Sequence, residues 1–109
     1  MQWLLVLNLT RPEMLTAGPT EQEMDSVRRH FAYWQNLTEA GQALVVGRTQ
    51  TSTPDTMGLA VFKAESEQEA TQIADQDPAV IDSVFKARVY PYFVALLGDP
   101  EGFRPNPSE

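Results

Sequence analysis

From residue 2 to residue 10 the chain reads QWLLVLNLT, and apolar side chains fall on both sides of the alternation that a strand imposes. Trp3, Leu5, Leu7 and Leu9 line one face, while Leu4 and Val6 make the other face apolar too. A strand with this pattern needs cover on both faces. Pro12 ends it, because proline cannot donate to a sheet ladder. After the loop TAGPT the period changes. Thr20 and Glu23 have the spacing of a capping box, and Met24, Val27, Phe31, Trp34 and Leu37 then form one arc at about 100° per residue. His30 falls inside that arc, between Leu37 and Trp34, with Arg28, Arg29, Asn36 and Glu39 on the opposite side. Gly41 suits the left-handed position that closes a helix.

QALVVGRT and MGLAVFKA read as two further strands, joined by the polar stretch TQTSTPDT into a long-looped hairpin. Ser66 and Glu69 repeat the capping spacing and open a second helix that runs to about Asp75. Ala70, Ile73, Ala74 and Asp77 follow one another at i+3 or i+4, so Asp77 approaches the buried side. Pro78 disfavours helical geometry at Asp77, and PAVIDSV adds a short helical turn before the last strand, KARVYPYFVALL. Pro91 places that strand at a sheet edge. From Gly98 the pattern dissolves into GDPEGFRPNPSE. This divides the chain into a domain over residues 1–97 and a flexible C-terminal tail over 98–109.

The order strand–helix–strand–strand–helix–strand predicts an α+β fold: a ferredoxin-like antiparallel sheet with two helices on one face. The other face, marked by Leu4 and Val6, stays bare in a single chain. An apolar sheet face of that extent calls for a partner. A homodimer with sheets packed face to face is the expected resolution.

Composition narrows the partners. The 109 residues carry a formal charge of −7, which disfavours phosphate backbones and anionic lipid. Neither nucleic acid nor membrane is expected, and no run approaches the roughly 18 apolar residues that cross a bilayer. MQWLLVLNLT lacks the basic region and cleavage site of a signal peptide, which points to the cytosol. With no cysteine and one histidine, thiolate chemistry and a metal site are not expected. No glycine-rich phosphate loop or nucleophile elbow appears, and no cofactor is expected.

His30 is the one side chain whose unperturbed pKa, about 6.5, lies near neutrality. In a sandwich of this kind the end of the second helix lies near the first half of the first, so His30 and Asp77 can meet. A carboxylate there would orient the ring for acid–base work. Each residue also has a plain structural reading: a hydrogen-bonded core histidine, and an aspartate capping the turn that begins at Pro78. Tyr33 and Trp34 read as packing, with their polar atoms lining a site only if a cavity reaches them. Arg11 and Arg48 lie just beyond strand ends, where loops shape sites, and are candidates to bind an anionic group.

Four stretches carry a family likeness when taken together: the histidine-bearing helix ending in LTEAG, the strand LVVG, the block GLAVFKAESEQEATQIADQDPAV and the closing ARVYPYF. In this order, across residues 1–96, they resemble the YCII-related (YciI-like) family. The resemblance implies a ferredoxin-like subunit pairing into a dimeric α+β barrel, and a site centred on a histidine and an aspartate that match His30 and Asp77. One departure is Gly47-Arg48, where many relatives carry Gly-Pro after the second strand, so the family's loop shape does not carry over there and Arg48 could alter what binds. Some members are associated with lyase-type removal of a leaving group.

Two readings follow. One is a cofactor-free enzyme doing His–Asp acid–base chemistry, of lyase or isomerase type, on a small molecule. The alternative is a non-catalytic dimeric module that binds a small ligand or merely associates.

Overall fold

The computed structural model describes residues 1–105, and the last four residues of the tail lie outside it. Strand β1 (Gln2–Leu9) leads through a short helix α1 (Glu13–Thr16) to the long helix α2 (Glu21–Glu39). Strands β2 (Ala43–Arg48) and β3 (Met57–Lys63) form the hairpin. Helix α3 (Glu67–Asp75), the single turn α4 (Pro78–Ile81) and strand β4 (Phe85–Tyr92) complete the domain. The sheet order is β2-β3-β1-β4 and every pairing is antiparallel. This is the ferredoxin-like α+β arrangement expected of the strand and helix order.

The caps explain where the helices begin. Thr20 accepts from the Glu23 amide and the Glu23 side chain accepts from the Thr20 amide, a complete capping box. Ser66 accepts from the Glu69 amide to open α3. Gly41, at φ 78°, turns the chain out of α2 in the left-handed region that glycine tolerates. Asp77 caps α4 from a β conformation, with Pro78 in the first helical turn.

Trp3, Leu5 and Leu7 project toward the helices and form the core with Trp34, Phe62, Ala60, Ala70, Ile73 and Ala74. The burial of α2 differs from the predicted arc. Phe31 and Met24 are exposed, while Ser26 is buried, as Trp34 is two turns further on. The inward face is rotated toward Ser26 and Tyr33, because the helix packs on α4 as well as on β2. This rotation carries His30 toward the middle of the inward face.

Two further departures concern ends. Arg11-Pro12 does not simply stop β1 but leads directly into α1. The last strand ends at Tyr92 rather than running to Leu97, because its one neighbour, β1, begins opposite it at Gln2. Pro91 lies on that edge strand, as its missing N–H requires. Beyond it the chain carries a 3-10 turn, Pro100–Phe103, which Asp99 caps by accepting from the Glu101 amide.

The sheet face away from the helices is apolar, as the strand pattern indicates. Leu4 stands between Val61 and Tyr90 in the register, and Val6 between Leu59 and Arg88. Val45 continues this face onto β2, opposite Val61. No element of the described chain covers it.

Candidate functional site

Helix α2 aims His30 inward, and the break between α3 and α4 delivers Asp77 to meet it. The imidazole Nδ1 lies 2.5 Å from Asp77 Oδ2. The same oxygen accepts the indole N–H of Trp34 at 2.9 Å, one turn along α2 from His30. The other oxygen, Oδ1, accepts the Ala79 amide at 2.9 Å. Asp77 is therefore both the cap of α4 and the partner of the histidine. The two structural readings and the site geometry coincide in one carboxylate.

Burial makes this carboxylate rigid. Asp77 is 0% exposed, and a polar group in that position is costly unless it is hydrogen-bonded. Three donors meet its two oxygens. A carboxylate oxygen only accepts, so the Nδ1 that faces Oδ2 must carry a proton. The neutral ring then has its lone pair on Nε2. The imidazole side chain retains 18% exposure. Phe85, at the start of β4, meets the ring edge to face with centroids 5.1 Å apart.

His30 and Trp34 border a cavity of about 20 Å³ between α2 and the sheet, with Leu5, Leu7, Val46, Gly47, Gly58 and Ala60 around it. Asp77 does not line it. Asp77 sits behind His30 with both its oxygens engaged by hydrogen bonds. The Gly58 Cα lies beneath the cavity on the helix-facing side of β3, where an added Cβ would meet Leu7 at 3.5 Å. The space near the ring thus owes much to small residues.

The structure does not bring the two arginine candidates to this cavity. Arg11 lies in a separate surface groove of about 870 Å³, where its Nε and Nη2 hold both carboxylate oxygens of Glu23 at 2.9 and 2.6 Å. This ion pair, together with the Thr20 amide, lowers the Glu23 carboxyl to about 2. In the same groove Arg29 pairs with Asp82 and Asp25, and the Ser26 hydroxyl donates to Asp82 at 2.6 Å. Both arginines of the groove are consumed by internal carboxylates, so the larger depression reads as a brace joining α2 to its neighbours. Arg48 ends β2 at the surface and does not line the cavity beside His30.

Trp34 does border the cavity, yet its N–H is spent on Asp77 rather than on a ligand. Tyr33 was read from the sequence as packing; its hydroxyl donates to the Ile73 carbonyl at 2.6 Å, tying α2 to α3. Burial, with a smaller contribution from the charge of Asp77, pushes its phenol up to about 12. Sequence reasoning missed the sharing of Oδ2 between His30 and Trp34. The i, i+4 spacing of the two residues was the available signal, since it sets both on one face of the helix.

The fold and this pair define a ferredoxin-like α+β domain with a histidine anchored to a buried aspartate. The chain belongs to the YCII-related domain family, whose model matches residues 1–93. No curated protein matches it significantly. Among solved structures it is similar to 5-chloro-2-hydroxyhydroquinone dehydrochlorinase (TftG) from Burkholderia phenoliruptrix AC1100, in complex with 2,5-dihydroxybenzoquinone. The TM-score is 0.60 at 21% identity, covering 84% of this chain and 93% of the other. At that identity the likeness shows the shared fold.

Proposed function

We propose that the protein is a cofactor-free enzyme in which His30 transfers a proton in a lyase-type elimination on a small molecule. The observation that carries this is the 2.5 Å contact between Nδ1 and a carboxylate held by two other donors. Such a tether fixes the ring's orientation and tautomer and leaves Nε2 as the base. On a halogenated hydroquinone, Nε2 takes a ring-hydroxyl proton from the keto tautomer in which the halogen-bearing carbon is tetrahedral. The O–H electron pair becomes a C=O bond, the ring double bond shifts onto the halogen-bearing carbon, and halide departs with its bonding electrons. Asp77 touches no substrate; it positions His30 and stabilises the imidazolium that forms. The dehydrochlorinase activity named for the structural neighbour supports this class of reaction, and its dihydroxybenzoquinone ligand suggests hydroxylated quinols as first substrates to try.

A second reading rests on the size of the cavity. About 20 Å³ holds one water molecule rather than an aromatic ring. This favours a structural polar link, with ligand binding or plain association as the protein's role. Changing His30 to Asn separates the two. The enzyme reading expects a folded protein whose turnover of a halogenated hydroquinone falls by about 10²–10⁴. Unchanged turnover, with only a lower melting temperature, contradicts it and leaves the structural link.

The uncovered sheet face supports a homodimer joined through Leu4, Val6, Leu59, Val61 and Tyr90. A face-to-face pairing would remove Leu4, Leu59, Val61 and Tyr90 from water, Val6 being already buried between its strand neighbours. It would also give the molecule the second layer its single chain lacks.

A further inference from the structure

We propose that the segment following β4 is a strap that lies on a second copy of this chain, along strand β2, and closes the mouth of that copy's His30 cavity. This rests on the face-to-face homodimer proposed above. The first observation is that four large apolar side chains of the segment, all but the half-buried Val94, find nothing to pack on within their own chain. Phe93 is 82% exposed, Leu96 93%, Leu97 71% and Phe103 86%. Four large apolar residues in so short a stretch are far more than scattered surface hydrophobics would supply. The segment is also shaped: Asp99 caps the turn Pro100–Phe103, and Arg104 pairs with Glu101 at 3.2 Å, which presents Phe103 from a formed turn.

The second observation is a surface with the complementary lack. Strand β2 pairs only with β3, so its outer edge is open. A bulge between Ala43 and Val45 interrupts its ladder, and Leu44, Val45 and Val46 are all exposed. Val46 and Gly47 of this strand are at the same time the wall of the His30 cavity on that side. In one chain that wall has nothing outside it.

Geometry joins the two. Strands β2 and β4 are the opposite edges of the sheet. When two such sheets stack face to face about a two-fold axis parallel to the strands, β4 of one copy lies over β2 of the other. Stacked sheets are about 10 Å apart, and the thirteen residues 93–105 that follow β4 can extend on the order of 30 Å. The strap therefore reaches the partner's β2 edge with length to spare. There Leu96, Leu97 and Phe103 cover Val46 on the helix-facing side of the edge, Val45 facing the partner's sheet instead, and the cavity beside His30 gains an outer wall from the second copy. Each site is then complete only in the dimer.

The test exploits a chain without cysteine. A nitroxide is attached to Gly98→Cys in protein at natural isotopic abundance. This is mixed and re-equilibrated with ¹⁵N-labelled, unmodified protein, so that any paramagnetic broadening is between chains. Gly98 is exposed with open space around it and is not one of the docking side chains, so the label leaves the fold and the strap contacts in place. The expected result is loss of amide intensity at Leu44–Arg48 of the labelled chain. Sedimentation on the same mixture separates the two levels of the proposal. A dimer without broadening along β2 overturns the strap and leaves the dimer standing. A monomer of one chain's mass overturns the dimer and the strap with it.

Discussion

Asp77 accepts three hydrogen bonds with two oxygens, two from side chains of α2 and one from the backbone of its own turn. Replacing it with Asn would put an amide nitrogen in the place of one oxygen. Turned one way, the amide meets the His30 and Trp34 N–H groups with a donor. Turned the other way, it loses the cap on Ala79. Either arrangement leaves a buried donor unmet, so Asp77→Asn should cost about 2–4 kcal/mol, read as a lower urea midpoint at unchanged slope. A loss below about 0.5 kcal/mol would mean that Asp77 is not the buried anchor described. The residue's inward direction was legible, because Ala70, Ile73, Ala74 and Asp77 step along one face. Its sharing between His30 and Trp34 was not, because that contact joins residues 43 or more apart and depends on how α2 is rotated. The same rotation exposes Phe31 and Met24, which periodicity alone would bury.

Among the elements, the start of α2 carries the clearest pH signature. Glu23 closes the capping box and grips Arg11 from the end of β1, and its carboxyl is lowered from 4.5 to about 2. A depressed carboxyl contributes stability that is fully present above its unfolded pKa and is lost as pH falls through the folded one. The wild type should therefore be more stable than Glu23→Gln at neutral pH, with the difference shrinking between about 4.5 and 2. Denaturant melts of both proteins at several pH values check this; a gap independent of pH would contradict it. Thr20 with Glu23 and Ser66 with Glu69 marked both helix starts in the sequence, because capping is local chemistry. Helix α1 has no such side-chain cap and passed unnoticed. The end of β4 was read five residues too late because a strand ends where its neighbour does, and PYFVALL alone does not reveal where β1 begins opposite it.

For the whole molecule, the apolar pattern of β1 on both faces held the most information. It placed Trp3, Leu5 and Leu7 in the core and Leu4 and Val6 on the uncovered face. The topology followed from element order, and no helix among the described residues is long and apolar enough to cross a membrane. What pattern could not give was the size of the space beside His30, which depends on side chains from α2, β1, β2 and β3 at once. Pairing through the uncovered face would bury an interface of standard size, about 1,200–2,000 Å². Leu4→Asp together with Val61→Asp sets two carboxylates into the middle of that face. The double variant should sediment as a folded monomer at micromolar concentration where the wild type is expected to sediment as a dimer. An equal sedimentation coefficient for both proteins would place the contact elsewhere.

The chemistry proposed for His30 turns on which ring nitrogen holds the proton, and the single histidine of this chain makes that directly visible. With ¹⁵N-labelled histidine, long-range proton–nitrogen spectra of the neutral ring distinguish a protonated nitrogen from one bearing a lone pair. The tether to Asp77 requires the proton on Nδ1, hydrogen-bonded to Oδ2, and the lone pair on Nε2. A neutral ring protonated on Nε2, with Nδ1 carrying the lone pair, would contradict the anchored pair and remove the base on which the proposed elimination depends.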